Sequence, residues 1–100
     1  MNPLLTNNIK QIENICRNHK VKKLYVFGSV CTDKFNDNSD VDFIISFEQK
    51  YFENYVENYI SLEQELKQLL KHDIDLIAEE TLQNPYFIKV VNKTKTPIYE

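Results

Sequence analysis

Two periods of apolar residues alternate along this chain, and each change of period marks the boundary of an element. Leu5, Ile9, Ile12, Ile15, Cys16 and His19 recur at helical spacing. Asn2-Pro3 before them offers an N-cap and a proline at the first helical position, so one helix is expected from Asn2 to His19 or Lys20. Lys23 to Phe27 reads as a short strand, rich in aromatic and branched residues and stopped by Gly28. Val30 to Ser39 holds Asp33, Asn36, Asp37, Asn38 and Ser39, which makes at least its second half a loop. Val41 to Phe47 is a second strand. Its alternation puts Asp40, Asp42, Ile44 and Ser46 on one face and Val41, Phe43, Ile45 and Phe47 on the other, the second face being the one expected against helices.

The longest periodic segment runs from Tyr51 to Lys71. Phe52, Tyr55, Val56, Tyr59, Leu62, Leu66, Leu69 and Leu70 form its apolar stripe, and Tyr51, Tyr55 and Tyr59 make a ladder at the stripe's edge that packing or a partner surface would explain. His72 reads as a cap on the helix end. Asp73 to Ile77 is a third strand, with Asp73, Asp75 and Ile77 on one face and Ile74 and Leu76 on the other. Glu79 and Glu80 open a short turn or helix. Asn84-Pro85 starts a last helix to about Asn92 with Phe87, Val90 and Val91 inward, and Thr96 to Tyr99 is an extended tail. Three strands interleaved with amphipathic helices predict an α+β protein, an α/β two-layer arrangement in which a small mixed sheet of about three to four strands packs with helices.

At 100 residues the chain is expected to be one domain, residues 1–100, with a single core. Its net charge of −3 argues against binding a long nucleic acid by charge, which draws on an excess of Lys and Arg. Lys20, Lys22 and Lys23 form one small basic cluster and Lys89, Lys93 and Lys95 another; solvated element ends explain both, and contact with phosphate oxygens is the sharper alternative. Cys16 falls on an apolar stripe and Cys31 has no local histidine. With no C-x-x-C spacing, signal peptide or long apolar span, the composition points to a reduced cytoplasm and away from the membrane.

The carboxylates change this plain picture. Asp40 and Asp42 lie about 7 Å apart along their strand, from two residues at roughly 3.3 Å each. If the second and third strands are neighbours, Asp40, Asp42 and Asp75 converge, and their repulsion calls for a divalent cation. Oxygen ligands without His or Cys select Mg²⁺ or Mn²⁺ over zinc, and magnesium held by a few carboxylates completes its shell with water and substrate phosphates. Gly28 is the only glycine in the chain, and Ser29 after it adds a hydroxyl and an N–H at the end of the preceding strand. A nucleoside triphosphate as substrate, and phosphoryl or nucleotidyl transfer as chemistry, are the implication.

Gly28-Ser29, ten residues, Asp40-Val41-Asp42 and a later Asp75-Leu76-Ile77 resemble the minimal nucleotidyltransferases of the DNA polymerase beta-like superfamily, above all the small prokaryotic group whose members pair with HEPN-domain proteins. The likeness runs over nearly the whole chain, including LEQELKQLLKHDIDLI and the closing TPIYE. It implies the polymerase beta-like fold, with ATP as substrate and Mg²⁺ as cofactor. Gly28 and Ser29 would hold the triphosphate, Asp40 and Asp42 would bridge the metals, and Asp75 would bind the catalytic metal while helping to deprotonate the attacking hydroxyl. Asp73 competes for the third position; Asp75 is preferred because two apolar strand residues follow it. Where family members commonly carry an Arg-Ala-Arg-Gly type run after Gly-Ser, this chain has Val30-Cys31-Thr32-Asp33 and so lacks that cationic help. Lys22, Lys23 and Lys34 are the candidates to compensate.

Two functions of different class follow from the resemblance. One is an enzyme that transfers AMP from ATP to a hydroxyl of a HEPN-domain partner, as the antitoxin of a two-protein module; the intact aspartate set favours it. The other is a binding subunit that docks such a partner through the Tyr51, Tyr55, Tyr59 face with little catalysis. A small-molecule transferase, of the antibiotic-modifying kind, is disfavoured because no second domain would hold the acceptor. That the three aspartates merely mark exposed strand starts would leave the lone glycine, the spacing and the third strand as coincidences. The acceptor and the oligomeric state, a homo-oligomer included, stay open.

Overall fold

A computed structural model describes residues 1–50 and 52–100. Helices α1 (Pro3–Thr6) and α2 (Ile9–Asn18) lead into strand β1 (Val21–Phe27); a 3-10 turn (Gly28–Cys31) and a loop follow, then strand β2 (Val41–Phe47). Helix α3 (Tyr55–Leu70), strand β3 (Ile74–Ala78), a 3-10 turn (Glu79–Thr81), helix α4 (Pro85–Thr94) and strand β4 (Thr96–Tyr99) complete the chain. The sheet has four strands in the order β3-β2-β1-β4. β1 runs antiparallel to both β2 and β4, and β2 parallel to β3, so the sheet is mixed as expected.

Alternation along the strands decides which helices go where. Leu24, Val26, Val41, Phe43, Ile45 and Phe47 bury one face against Leu5, Ile12, Cys16, Leu62, Leu66 and Leu70, which forms the main core under α1, α2 and α3. The opposite face is covered by α4, where Val91 and Phe87 pack with Phe27, Ile44, Ile77 and Tyr25. Helices therefore lie on both faces, and α4 covers only part of its own. The uncovered part holds the aspartates.

Several elements differ from their expected form. The first helix is broken because the Asn8 side chain donates to the Leu4 carbonyl at 2.7 Å, taking the acceptor a continuous helix would give to the Asn8 N–H, which turns instead to the Leu5 carbonyl at 3.1 Å. Proline at both helix starts behaves as read: Asn2 Oδ1 accepts from the Leu4 N–H at 2.9 Å, and Asn84 Oδ1 from the N–H groups of Tyr86 and Phe87 at 2.9 and 3.3 Å. Val56 and Val90, expected inward, are 63% and 56% exposed. His72 does not cap the helix. Its Nδ1 meets the Ser39 carbonyl at 2.8 Å and its ring packs on Phe35, tying the loop to the start of β3. The closing tail is an edge strand, and its Pro97 is tolerated there because an edge position needs no second ladder donor.

The tyrosine ladder is structural where it can be seen. Tyr55 and Tyr59 pack on Phe47 with ring centroids 5.3 and 6.1 Å away, and the Tyr59 hydroxyl donates to the Leu76 carbonyl. Burial pushes the Tyr59 phenol up to about 12. Tyr51, expected to open both helix and ladder, lies outside the described residues. His19 is buried, with contacts to the Ile15 carbonyl, Ser61 and Glu65, and Cys16 is a core thiol raised to about 12 by burial. Among the described residues no helix is long and apolar enough to cross a membrane.

Leu66 is fully buried and Val56 exposed on the same helix. Urea denaturation should show Leu66→Ala losing about 2–5 kcal/mol, while Val56→Ala changes stability by no more than about 0.5 kcal/mol.

Candidate active site

The strand register assembles the site. Asp42 is the β-partner of Phe27 on β1 and of Asp75 on β3, so the two carboxylates stand side by side on adjacent strands and on the face that α4 partly covers. Asp40 lies just before β2 and is exposed, Asp42 is half-buried and Asp75 exposed. Among the described residues, none of the three side chains has a hydrogen bond or an ion pair, and no three His, Cys, Asp or Glu side chains are gathered closely enough to hold a metal by themselves. Asp42 and Asp75 thus form a pair, with Asp40 acting on it as a nearby charge. Burial first, then Asp75 and Asp40, push the Asp42 carboxyl up to about 6.

Gly28 is fitted to this pair. Its φ is +76°, and a Cβ there would sit 2.6 Å from Asp42 Oδ2. Positive φ alone does not demand glycine in this chain, since Lys20, Asn54 and Lys71 adopt φ of 61°, 63° and 59°. The close approach to the carboxylate does. The Gly28 N–H donates to Thr94 Oγ1 at 3.0 Å, from the last residue of α4. Ser29 accepts at its carbonyl from the N–H and the hydroxyl of Thr32, both at 2.9 Å, while its own hydroxyl has no hydrogen-bond partner among the described residues. Thr94 was invisible to sequence reading because its partner is 66 residues away.

The competing residues fall outside this cluster. Asp73 precedes β3 and its carboxylate is 3.2 Å from Lys67 Nζ. Lys22 and Lys23 cannot compensate for the missing basic run: Lys23 pairs with Ser46, four residues along β1 from Phe27, or about 13 Å at 3.3 Å per residue. Lys95 Nζ lies 4.9 Å from the Tyr25 ring centroid. Cys31 Sγ is 3.9 Å from Thr96 Oγ1, and burial raises its thiol pKa, which keeps it protonated and unsuited to nucleophilic work.

The donors present suit a hard divalent cation. They are oxygens, they carry uncompensated negative charge, and their small number matches magnesium, which leaves coordination positions to water and phosphate.

The family model for polymerase beta nucleotidyltransferases matches residues 10–100. The chain belongs to that family. It is a nucleotidyltransferase, and its curated relatives in Methanocaldococcus jannaschii include two provisionally named protein adenylyltransferases: MJ0128 is 29% identical and MJ0126 30%, each match covering 85% of this chain and 92% of the relative. A solved structure described provisionally as a minimal nucleotidyltransferase superposes with a TM-score of 0.74 at 25% identity, covering 93% of this chain and 91% of that one. The same fold occurs in a toxin-antitoxin crystal structure with AMP-PNP, with a TM-score of 0.71, 21% identity and coverage of 92% of this chain and 73% of that chain. It occurs again in a complex of a tri-AMPylated Shewanella oneidensis HEPN toxin with its MNT antitoxin, at a TM-score of 0.65, 18% identity and coverage of 95% and 71%.

Two consequences of the nucleotidyltransferase geometry can be measured. Gly28→Ala should cost at least about 1 kcal/mol from the left-handed backbone alone, and more from the clash. In an Asp42→Ala background, where the nearest remaining atom is Asp42 Cβ at 3.8 Å, the cost should shrink, as a double-mutant cycle in urea will report. The second concerns pH. The Asp42 carboxyl titrates near 6 in the folded chain against 3.8 ordinarily, so the native state holds the extra proton between these values and loses stability as pH rises through the window. With chelator present, Asp42→Asn should raise Tm relative to the parent at pH 7.5, and the gain should fade by about pH 4.

Proposed function

We propose that this chain transfers AMP from ATP, with Mg²⁺ as cofactor, to a hydroxyl of a HEPN-domain protein, and that it does so in the cytoplasm as the antitoxin half of a two-protein module. The observation that carries the reading is the register pairing of Asp42 with Asp75, with the Gly28 main chain packed against the Asp42 carboxylate. The relatives named protein adenylyltransferases and the shared fold of the AMPylated toxin complex support the choice of AMP and of a HEPN acceptor.

In this reading Asp42 and Asp75 would hold the divalent cation between adjacent strands, Asp75 on the catalytic side, and Asp40 would add its charge from just before β2. Bound there, a divalent cation offsets the charge that develops on the transferring and leaving oxygens. The Asp75 carboxylate accepts the proton of the incoming hydroxyl. The oxygen of that hydroxyl bonds to the α-phosphorus, the bond from that phosphorus to the bridging oxygen breaks, and pyrophosphate carries away the electron pair. Gly28 and Ser29 seat the triphosphate, the Ser29 hydroxyl being unengaged and able to donate to a phosphate oxygen. The half-buried Asp42 is poorly solvated and raised in pKa, so binding a cation relieves a strain that is already built in. The docking-only alternative loses support, because Tyr55 and Tyr59 are taken up by Phe47 and the Leu76 carbonyl.

Incubation of the chain with its purified HEPN partner, Mg²⁺ and ATP labelled at the α-phosphate should label the partner. Asp42→Asn and Asp75→Asn should each reduce labelling by about 10²-fold or more, the scale of losing one electrostatic group at a reacting centre, whereas Asp73→Asn should not. Labelling that survives Asp42→Asn would sink the assignment.

A further inference from the structure

One flank of α4 has no part in the site so far. Tyr86, Val90 and Lys93 follow at spacings of four and three, which lines them up in one stripe along the helix. Tyr86 is 83% exposed and Val90 56%, and Lys93 is exposed with no ion pair or hydrogen bond among the described residues. Lys89 points further round, to solvent.

The neighbours on the helix fix where the stripe looks. Phe87 and Val91 point into the sheet, against Phe27 and Ile44. Ile88 and Asn92, on the far flank, line a cavity of about 230 Å³ with Tyr25, Ile44 and Lys95, toward the strand ends remote from Gly28. The stripe on the opposite flank therefore faces the end that carries Gly28, Asp42 and Asp75. Thr94 anchors this orientation, since it follows Lys93 directly and its hydroxyl accepts from the Gly28 N–H at 3.0 Å.

We propose that this stripe is the second wall of the nucleotide site, with Lys93 meeting the triphosphate beside Gly28 and Ser29, and Val90 and Tyr86 carrying the nucleobase. The inference rests on the nucleotidyltransferase reading and names the ligand contacts that the aspartates do not supply. Charge calls for it. The segment after Ser29 is Val30-Cys31-Thr32-Asp33, with an acid where a cation would serve. Lys22 and Lys23 sit at the other end of β1, and Lys95 lies over Tyr25. The C-terminal end of α4 also turns its negative pole toward the phosphates, which a lysine in the last turn offsets. Length agrees as well. Seven residues separate Lys93 from Tyr86, about 10 Å at 1.5 Å each, enough to run alongside a nucleotide from its phosphates to its base. An exposed tyrosine ring at that end presents a π-face, which stacks on any base.

Calorimetric titration of the intact chain with Mg²⁺ and ATP, and separately with AMP, tests the stripe. Lys93→Ala should weaken ATP binding about tenfold and leave AMP binding within twofold, with Lys93→Arg restoring most of the loss. Tyr86→Ala should weaken ATP and AMP alike by severalfold, and Tyr86→Phe should not. Both side chains are exposed, so Tm should hold in every variant, and Val56→Ala on α3 serves as a control. If the parent binds ATP and the Lys93 and Tyr86 variants bind it equally well, the stripe is overturned while the transferase reading stands. If Tyr86→Ala spares nucleotide binding but abolishes capture of the HEPN partner, the stripe is a docking surface and the proposal fails. A parent that binds no ATP at all overturns both.

Discussion

Two like charges on adjacent parallel strands, with a turn of main chain pressed against one of them, set the terms for the rest of this molecule. Asp42 and Asp75 face each other across β2 and β3, and nothing cationic among the described residues is paired with either. Left alone, the pair opposes folding, because burial and repulsion both disfavour the charged Asp42. The main core is what holds them there. Leu24, Val26, Phe43 and Ile45 on one side of the sheet are fully buried against α2 and α3, and slipping β2 by one residue would turn Phe43 and Ile45 away from that core. The register that buries the apolar face is the same register that brings the carboxylates together.

The lone glycine belongs to the same constraint. Lysine and asparagine carry positive φ elsewhere in the chain, so the backbone angle is a condition these residues can meet. What only glycine meets is the absence of a Cβ beside Asp42 Oδ2. The turn is then held from a third direction by Thr94, so the end of α4, the end of β1 and the start of β2 converge on one point. A helix that covers part of a sheet face thus ends on the Gly28 turn, a link the minimal motif does not reveal.

The electrostatic balance of the site is strongly acidic. Acidic groups dominate at the strand ends, and the loop after Ser29 adds Asp33. Three cations are engaged elsewhere, Lys67 on Asp73, Lys20 over Phe52 and Lys95 over Tyr25, while Lys34 and Lys93 are exposed with no ion pair among the described residues.

Much of this was legible in the residues themselves. Periodicity located the strands, α3 and α4 to within a few residues, proline after asparagine marked both helix starts, and the spacing of Gly28-Ser29, Asp40-Val41-Asp42 and Asp75 pointed to the family and its chemistry. These are local signals, in which each residue's neighbours in sequence are also its neighbours in space. The break at Asn8 and the exposure of Val56 and Val90 were not legible, since each depends on which side of a helix the sheet happens to cover or on a side chain competing for a carbonyl. The apolar residues after Asp75 already favoured it over Asp73, but its pairing with Asp42, the docking of Thr96 to Tyr99 as an edge strand and the hold of Thr94 on Gly28 were decided only by the tertiary structure, because they join residues far apart in the chain, which no local pattern encodes.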